Sequence, residues 1–332
     1  MRQIPLPCFL YRDGEHFSLP PRLQAVVPND CQFIVRDGSG VPRANPRLFR
    51  EVSRPEDAEV FLFPWDIGQY IDGGALDAIA GIIKHLPHIA GRERRHIVCD
   101  DGDATVHFPV PVCLFKISVT KALAAETVAV PYRLPAHVLD DTPVFDWKGI
   151  RYDTTFVGNL TNPVRRAVVT SVQRQGGGLR ALIDYDDAPV TDGLHCFNTR
   201  VKDDPEKTAA RQKVYRKSLK ESLTVLCPPG IGPHSIRMYE TMYMGRIPIL
   251  FGDSAVYPLE RIIDYGAFCL RVPKEMLLDT GTILEDWLKS RKEEGLHAMC
   301  VQACRTWNTY FAPDKFLPYL LEEARSRFWE GG

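Results

Sequence analysis

The chain has 332 residues, enough for two domains with a core each, and its 45% hydrophobic and 25% charged residues are the balance of a globular protein. A formal net charge of −1 excludes a molecule drawn as a whole to nucleic acid or to an anionic membrane, and no run approaches the ~20 apolar residues that cross a bilayer. Nine scattered cysteines follow a start, Met1-Arg2-Gln3-Ile4-Pro5-Leu6-Pro7, that has two prolines and no apolar leader; this predicts free thiols in a reducing cytoplasm.

Residues 1 to 50 are proline-rich and read as irregular, with one apolar run at Gln32 to Val35. Ala58 to Pro64 (AEVFLFP) predicts a buried strand with Trp65-Asp66 at its carboxyl end, since Val60, Phe61 and Phe63 favour the pleated state. Leu76 to His85 predicts a helix, and His96 to Cys99 a short strand that runs into Asp100-Asp101-Gly102-Asp103. Phe115 to Val119 and Thr127 to Val130 add two β-like runs. Pro131 to Lys148 holds three prolines and three aspartates without periodicity and reads as a linker.

A second series then begins. Arg151 to Val157 predicts a strand that runs into Gly158-Asn159, and Pro163 suits the first turn of a helix carrying Arg165 and Arg166. Gly176 to Gly178 ends that helix, and Leu179 to Ile183 reads as a strand. Ala209 to Leu219 is helical with a basic face of Lys213, Arg216, Lys217 and Lys220, either merely solvated or touching anionic lipid or acidic glycan. Leu223 to Leu226 and Ile247 to Phe251 are apolar strands around a proline- and glycine-rich turn and a helix from Ile236 to Met244, with Gly245 at its end. Ala267 to Val272 predicts a strand, Ile283 to Lys292 a helix and His297 to Tyr310 a last helix, which Pro318 to Phe328 follows. Alternating strands and helices imply parallel sheets with covered faces.

The turn-helix stretch carries the densest chemistry. Ser235 stands where a helix starts, able to cap it or to offer a hydroxyl to an anion. Arg237 supplies a donor fork for phosphate oxygens. Glu240 is i+3 from Arg237, on the same face, and ~7.5 Å along the axis from Ser235, the spacing of a diphosphate and its ribose. A surface Arg–Glu pair on an ordinary capped helix fits the same spacing. Asp101-Gly102-Asp103 fits a turn or a divalent-cation site. His297, Cys300 and Cys304 lie along one helical face, as half-buried thiols or as zinc ligands lacking a fourth partner. Trp65, Tyr70 and Trp147 suit sugar stacking or core packing.

The run PPGIGPHSIRMYETMYMGRIPILFGDSAVYPLERIIDYGAF resembles the exostosin family of glycosyltransferases, family 47. Pro229, Gly230, Ser235, Arg237, Glu240, Gly245, Pro248, Pro258, Asp264 and Tyr265 stand in the family's order. Arg151 to Arg166 resembles its strand ending in Gly-Asn with a basic helix behind it, and Ala58 to Asp66 and Arg95 to Gly102 resemble its amino-terminal strands.

The resemblance implies an α/β fold of two Rossmann-like domains facing a cleft, the GT-B architecture. An acceptor domain would span residues 1–145 and a donor domain 146–305, with 306–332 returning as a helix to the first. It implies an inverting transfer from a UDP- or GDP-sugar to a glycan or glycolipid hydroxyl, with no metal, no other cofactor and no nucleic-acid partner. The donor set is then Gly158, Asn159, Arg165, Arg166, Pro229, Gly230, His234, Ser235, Arg237 and Glu240. Asp66 is the expected base, with Asp101 in reserve. Secretory members of the family carry an amino-terminal anchor. Its absence here points to a cytoplasmic enzyme of surface-glycan synthesis, peripheral at the membrane. A non-catalytic nucleotide- or glycan-binding partner of another transferase is the alternative.

Overall fold

The computed structural model describes residues 5–24, 29–134, 136–139, 143, 147–160, 162–186, 205–313 and 315–330. They form two compact units, one of Met1–Pro131, Ala255–Leu259 and Asp314–Gly332, the other of Tyr132–Ser254 and Glu260–Pro313.

The first unit is built on β1 (Leu6–Leu10), β2 (Ile34–Arg36), β3 (Pro42–Ala44), β4 (Phe49–Glu51), β5 (Val60–Asp66), helix α1 (Leu76–Lys84), β6 (His96–Asp100), β7 (Cys113–Lys116) and β8 (Thr127–Ala129). Six of these strands make one parallel sheet in the order β4-β1-β5-β6-β7-β8, while β2 and β3 pair apart as an antiparallel ribbon. Every residue of β5, β6, β7 and β8 is buried, as strands covered on both faces require.

The expectation of an irregular first fifty residues is corrected here. Leu6–Leu10 is an inner strand, paired with β4 through Leu6 to Cys8 and with β5 from Cys8 onward. Pro7 made the segment read as irregular, yet it precedes the β5 pairing and removes no bond from that ladder.

The second unit runs β9 (Tyr152–Asn159), α2 (Pro163–Arg174), β10 (Ala181–Asp186), α3 (Pro205–Glu221), β11 (Ser222–Cys227), α4 (Ile236–Tyr243), β12 (Ile247–Phe251), β13 (Leu270–Val272), α5 (Thr280–Lys289) and α6 (Glu293–Thr306). Its five strands are parallel in the order β10-β9-β11-β12-β13. Phe156, Val168, Leu226, Ile249 and Leu284 are buried together between sheet and helices. Gly245 follows α4 at φ +65°, the left-handed residue that stops the helix and turns the chain into β12. The strand expected from Ala267 starts only at Leu270, because Asp264 accepts the Gly266 amide at 2.9 Å and caps a 3-10 turn over Tyr265–Ala267.

The break between the units follows Pro131, and in the second unit the Tyr243 hydroxyl donates to Leu139 O at 2.8 Å. Helix α7 (Phe316–Ala324) belongs to the first unit. Beyond it, Arg327 donates to Thr127 O at 2.8 Å and the Trp329 indole to Arg94 O at 2.8 Å. Among the described residues no helix is long and apolar enough to cross a membrane.

Both sheets have a point where successive connections leave in opposite directions, and ligands of open α/β sheets bind outside the strand ends at such points. In the first unit the chain leaves β1 towards β4 and leaves β5 towards β6, so the point lies between the carboxyl ends of β1 and β5. In the second it leaves β9 towards β10 and β11 towards β12, which puts the point between Asn159 and Cys227.

Candidate functional site

In the second unit the strand ends are tied together by α2. Asn162 caps that helix, its Oδ1 accepting the Arg165 amide at 3.0 Å with Pro163 in the first turn. Its side-chain amide also donates to Pro229 O at 3.0 Å and Gly230 O at 2.7 Å. Arg165 Nε donates to Pro229 O at 2.9 Å, and its Nη1 to Asn159 Oδ1 at 2.5 Å. Two side chains from one helix turn thus bridge the loops after β9 and β11. Arg166 is exposed on the same helix.

Replacing Asn162 with alanine removes a cap and two donated bonds. We expect a loss of about 2 kcal/mol from the second unit, taking ~1 kcal/mol for the cap and about as much for the remainder. Denaturant titration measures it, and an unchanged midpoint would show that the loop is held by other means.

Helix α4 enters the same place. Ser235 occupies its N-cap in extended conformation, but its side chain makes no capping bond. Ser235 and His234 are both buried. The surface pair allowed by the spacing is not what forms: Arg237 is 8% exposed and Glu240 5%. Arg237 lies over the Phe156 ring at 4.6 Å and the Tyr215 ring at 5.6 Å, with Nη2 donating to Val157 O at 2.8 Å. Its Nε and Nη1 are buried without a hydrogen-bond partner among the described residues. Gly158 makes room for this, since a Cβ there would come 2.8 Å from Arg237 Nη2. Glu240 Oε2 accepts the Tyr215 hydroxyl. Burial pushes the Glu240 carboxyl above its ordinary range, opposed by the Tyr215 bond and the Arg237 charge.

A buried guanidinium with open donors is costly unless an anion completes it. Arg237 Nε and Nη1 can therefore take an anion, and the buried Glu240 carboxyl lies one helical turn further on. Tyr215 and Phe156 escaped the sequence reading. Tyr215 sits within the basic run of α3, whose Lys213 and Lys217 are exposed as a solvated face would be. Asn162, followed by proline, carried a readable cap signal.

In the first unit, Asp66 ends β5 and is 2% exposed. Its two oxygens accept the Gly68 amide at 2.9 Å and the Asp101 amide at 2.8 Å. Burial, then the Asp101 carboxylate, pushes it from 3.8 up to about 8. Asp101 itself is exposed. Asp100 is held by buried Lys116 at 2.5 Å and accepts the Gly102 amide at 2.9 Å. The Asp103 and Ala104 amides donate to Asp72 at 3.1 and 2.9 Å, so Asp101-Gly102-Asp103 is a bonded turn. Gly68 and Gly102 permit this packing, because a Cβ on Gly68 would lie 2.2 Å from Gly102 N.

Among the described residues no three histidines, cysteines or carboxylates are grouped to hold a metal ion. His297 is exposed, whereas Cys300 and Cys304 are buried. Trp65 and Tyr70 belong to the first unit's core; the Trp147 side chain lies outside the described residues. The eight described cysteines are unbridged and buried, and Cys196 lies outside the described residues.

Two α/β units with parallel sheets, Arg237 and Glu240 being buried at the switch point of the second, agree with the fold that the resemblance implied. Residues 118–287, just over half of the chain, match the Exostosin GT47 domain, and the chain belongs to that family of glycosyltransferases. No curated protein sequence matches it.

Among solved structures it is similar to TarM, at 10% identity and TM-score 0.41 over 76% of this chain and 58% of that one, so it spans less than two thirds of TarM's length. It is also similar to a glycosyltransferase from Rickettsia africae ESF-5, at 9% identity and TM-score 0.40 over 86% of each chain. A third is WaaG, a glycosyltransferase involved in lipopolysaccharide biosynthesis, at 10% identity and TM-score 0.40 over 98% of this chain and 100% of that one.

Proposed function

We propose that this enzyme moves a sugar, with inversion, from a nucleoside-diphosphate donor to a hydroxyl of a glycan or glycolipid. The observation that carries the reading is Arg237, whose buried Nε and Nη1 lack a partner among the described residues. They suit the diphosphate, with the Ser235 hydroxyl and the α4 amino terminus beside them. Glu240 suits the two ribose hydroxyls, as acidic side chains do in other nucleotide sites. Arg165 and Asn162 hold the loop of Pro229 and Gly230, which would lie beside the nucleotide. In the transfer, the acceptor oxygen bonds to the anomeric carbon while the bond from that carbon to the phosphate oxygen breaks. The acceptor proton passes to the Asp66 carboxylate, and the nucleoside diphosphate leaves with its negative charge on Arg237. Described cysteines without bridges support a cytoplasmic setting.

Thermal unfolding against a nucleotide panel tests the donor class. UDP or GDP should raise the midpoint by mass action, while the matching nucleoside should not. A midpoint unmoved by any nucleoside diphosphate would contradict the reading.

A further inference from the structure

Both charged side chains of the proposed donor site touch the same aromatic residue. Tyr215, on α3, places its ring 5.6 Å from the Arg237 guanidinium carbon and donates its hydroxyl to Glu240 Oε2. Phe156 closes the other contact on Arg237 at 4.6 Å, and Val157 O fixes Nη2. We propose that Tyr215 is a positioning residue of the donor site: its ring walls Arg237, and its hydroxyl orients Glu240 towards a ribose diol. This rests on the donor-site reading above.

The arrangement separates two tasks in one side chain. The ring acts on the group that meets phosphate, through cation–π attraction and by excluding water. The hydroxyl acts on the group that meets ribose. It takes one acceptor position of Oε2 and leaves Oε1 free to turn to the diol in a fixed orientation. Among the described residues, the titratable and charged groups acting on Glu240 are Tyr215 on α3, Arg237 on α4 and Cys227 on β11. Burial pushes the Cys227 thiol up to about 12, so it stays neutral while Glu240 titrates. The Tyr215 bond and the Arg237 charge are what hold the Glu240 carboxyl down against burial.

Tyr215→Phe keeps the ring and deletes the hydroxyl. Calorimetry with UDP and GDP should show affinity lower by roughly ten- to a hundredfold, the span of a hydrogen bond to a charged group, while affinity for inorganic pyrophosphate is unchanged. The acid limb of nucleotide binding should move to higher pH, because Glu240 loses the bond that favours its charged form. Tyr215→Leu, which also removes the ring, should weaken pyrophosphate as well. In a Glu240→Gln background, Tyr215→Phe should no longer move the acid limb.

Equal weakening of pyrophosphate and nucleotide by Tyr215→Phe would mark a merely structural role and overturn the proposal. An unmoved acid limb would do the same. If Glu240→Gln itself leaves nucleotide binding intact, the donor-site reading fails instead, so the two failures are told apart.

Discussion

Asp66→Asn is expected to lower kcat by roughly 10²–10⁴-fold, the usual contribution of a general base, with KM for the nucleotide sugar little changed. The carboxylate is enclosed at the end of β5, and the amides of Gly68 and Asp101 occupy one oxygen each. Those bonds favour the charged form, but burial and the Asp101 carboxylate outweigh them and lift it to about 8. A base with that value is mostly protonated at neutral pH, so wild-type turnover should climb as pH rises through about 8. The asparagine enzyme should lose that limb.

Stability should move the other way. A carboxyl raised from 3.8 to about 8 binds a proton in the native state that the unfolded chain has already released. Its contribution is complete below about pH 4 and is lost as pH rises through about 8. Unfolding midpoints of wild type should therefore fall across that window more than those of Asp66→Asn. Full turnover by the variant, with the alkaline rise intact, would remove Asp66 from the mechanism. Exposed Asp101, whose amide already bonds to Asp66, would be the next group to replace.

Arg237→Ala should weaken nucleoside-diphosphate binding by about a hundredfold or more, since at least one charge-assisted bond to phosphate, at about 1.5–3 kcal/mol, and the local positive charge are lost together. The empty protein should lose much less stability than the burial of an arginine suggests. The substitution also removes two buried nitrogens that have no partner among the described residues, and unpaired buried donors are a cost to the fold. Arg237→Lys should fall between, keeping the charge and losing the planar fork that reaches Val157 O while leaving Nε and Nη1 for the ligand. A pattern in which alanine destabilises the empty fold yet leaves affinity unchanged would make Arg237 a structural residue.

Parts of this site are legible in the sequence for definite reasons. The i,i+3 spacing sets Arg237 and Glu240 on one face of α4, and FLFPW announces a buried strand delivering Asp66 to its end. Burial of the pair is not legible, because it depends on Phe156 and Tyr215 arriving from β9 and α3. Local pattern says nothing of strand order, so the switch points between β1 and β5 and between β9 and β11 stay hidden until the sheets are seen. Leu6–Leu10 was obscured by Pro7, whose missing amide is harmless at that register. Ser235 shows the reverse case: its position is legible, but the expected capping bond does not form.

Calorimetric titration of wild type, Arg237→Ala and Glu240→Ala with UDP, GDP and pyrophosphate tests the donor site most directly. Wild type should bind one nucleoside diphosphate saturably. Arg237→Ala should lose both that nucleotide and pyrophosphate, and Glu240→Ala should lose the nucleotide while keeping pyrophosphate. Nucleotide binding left unchanged by both substitutions would contradict the assignment of this helix to the donor.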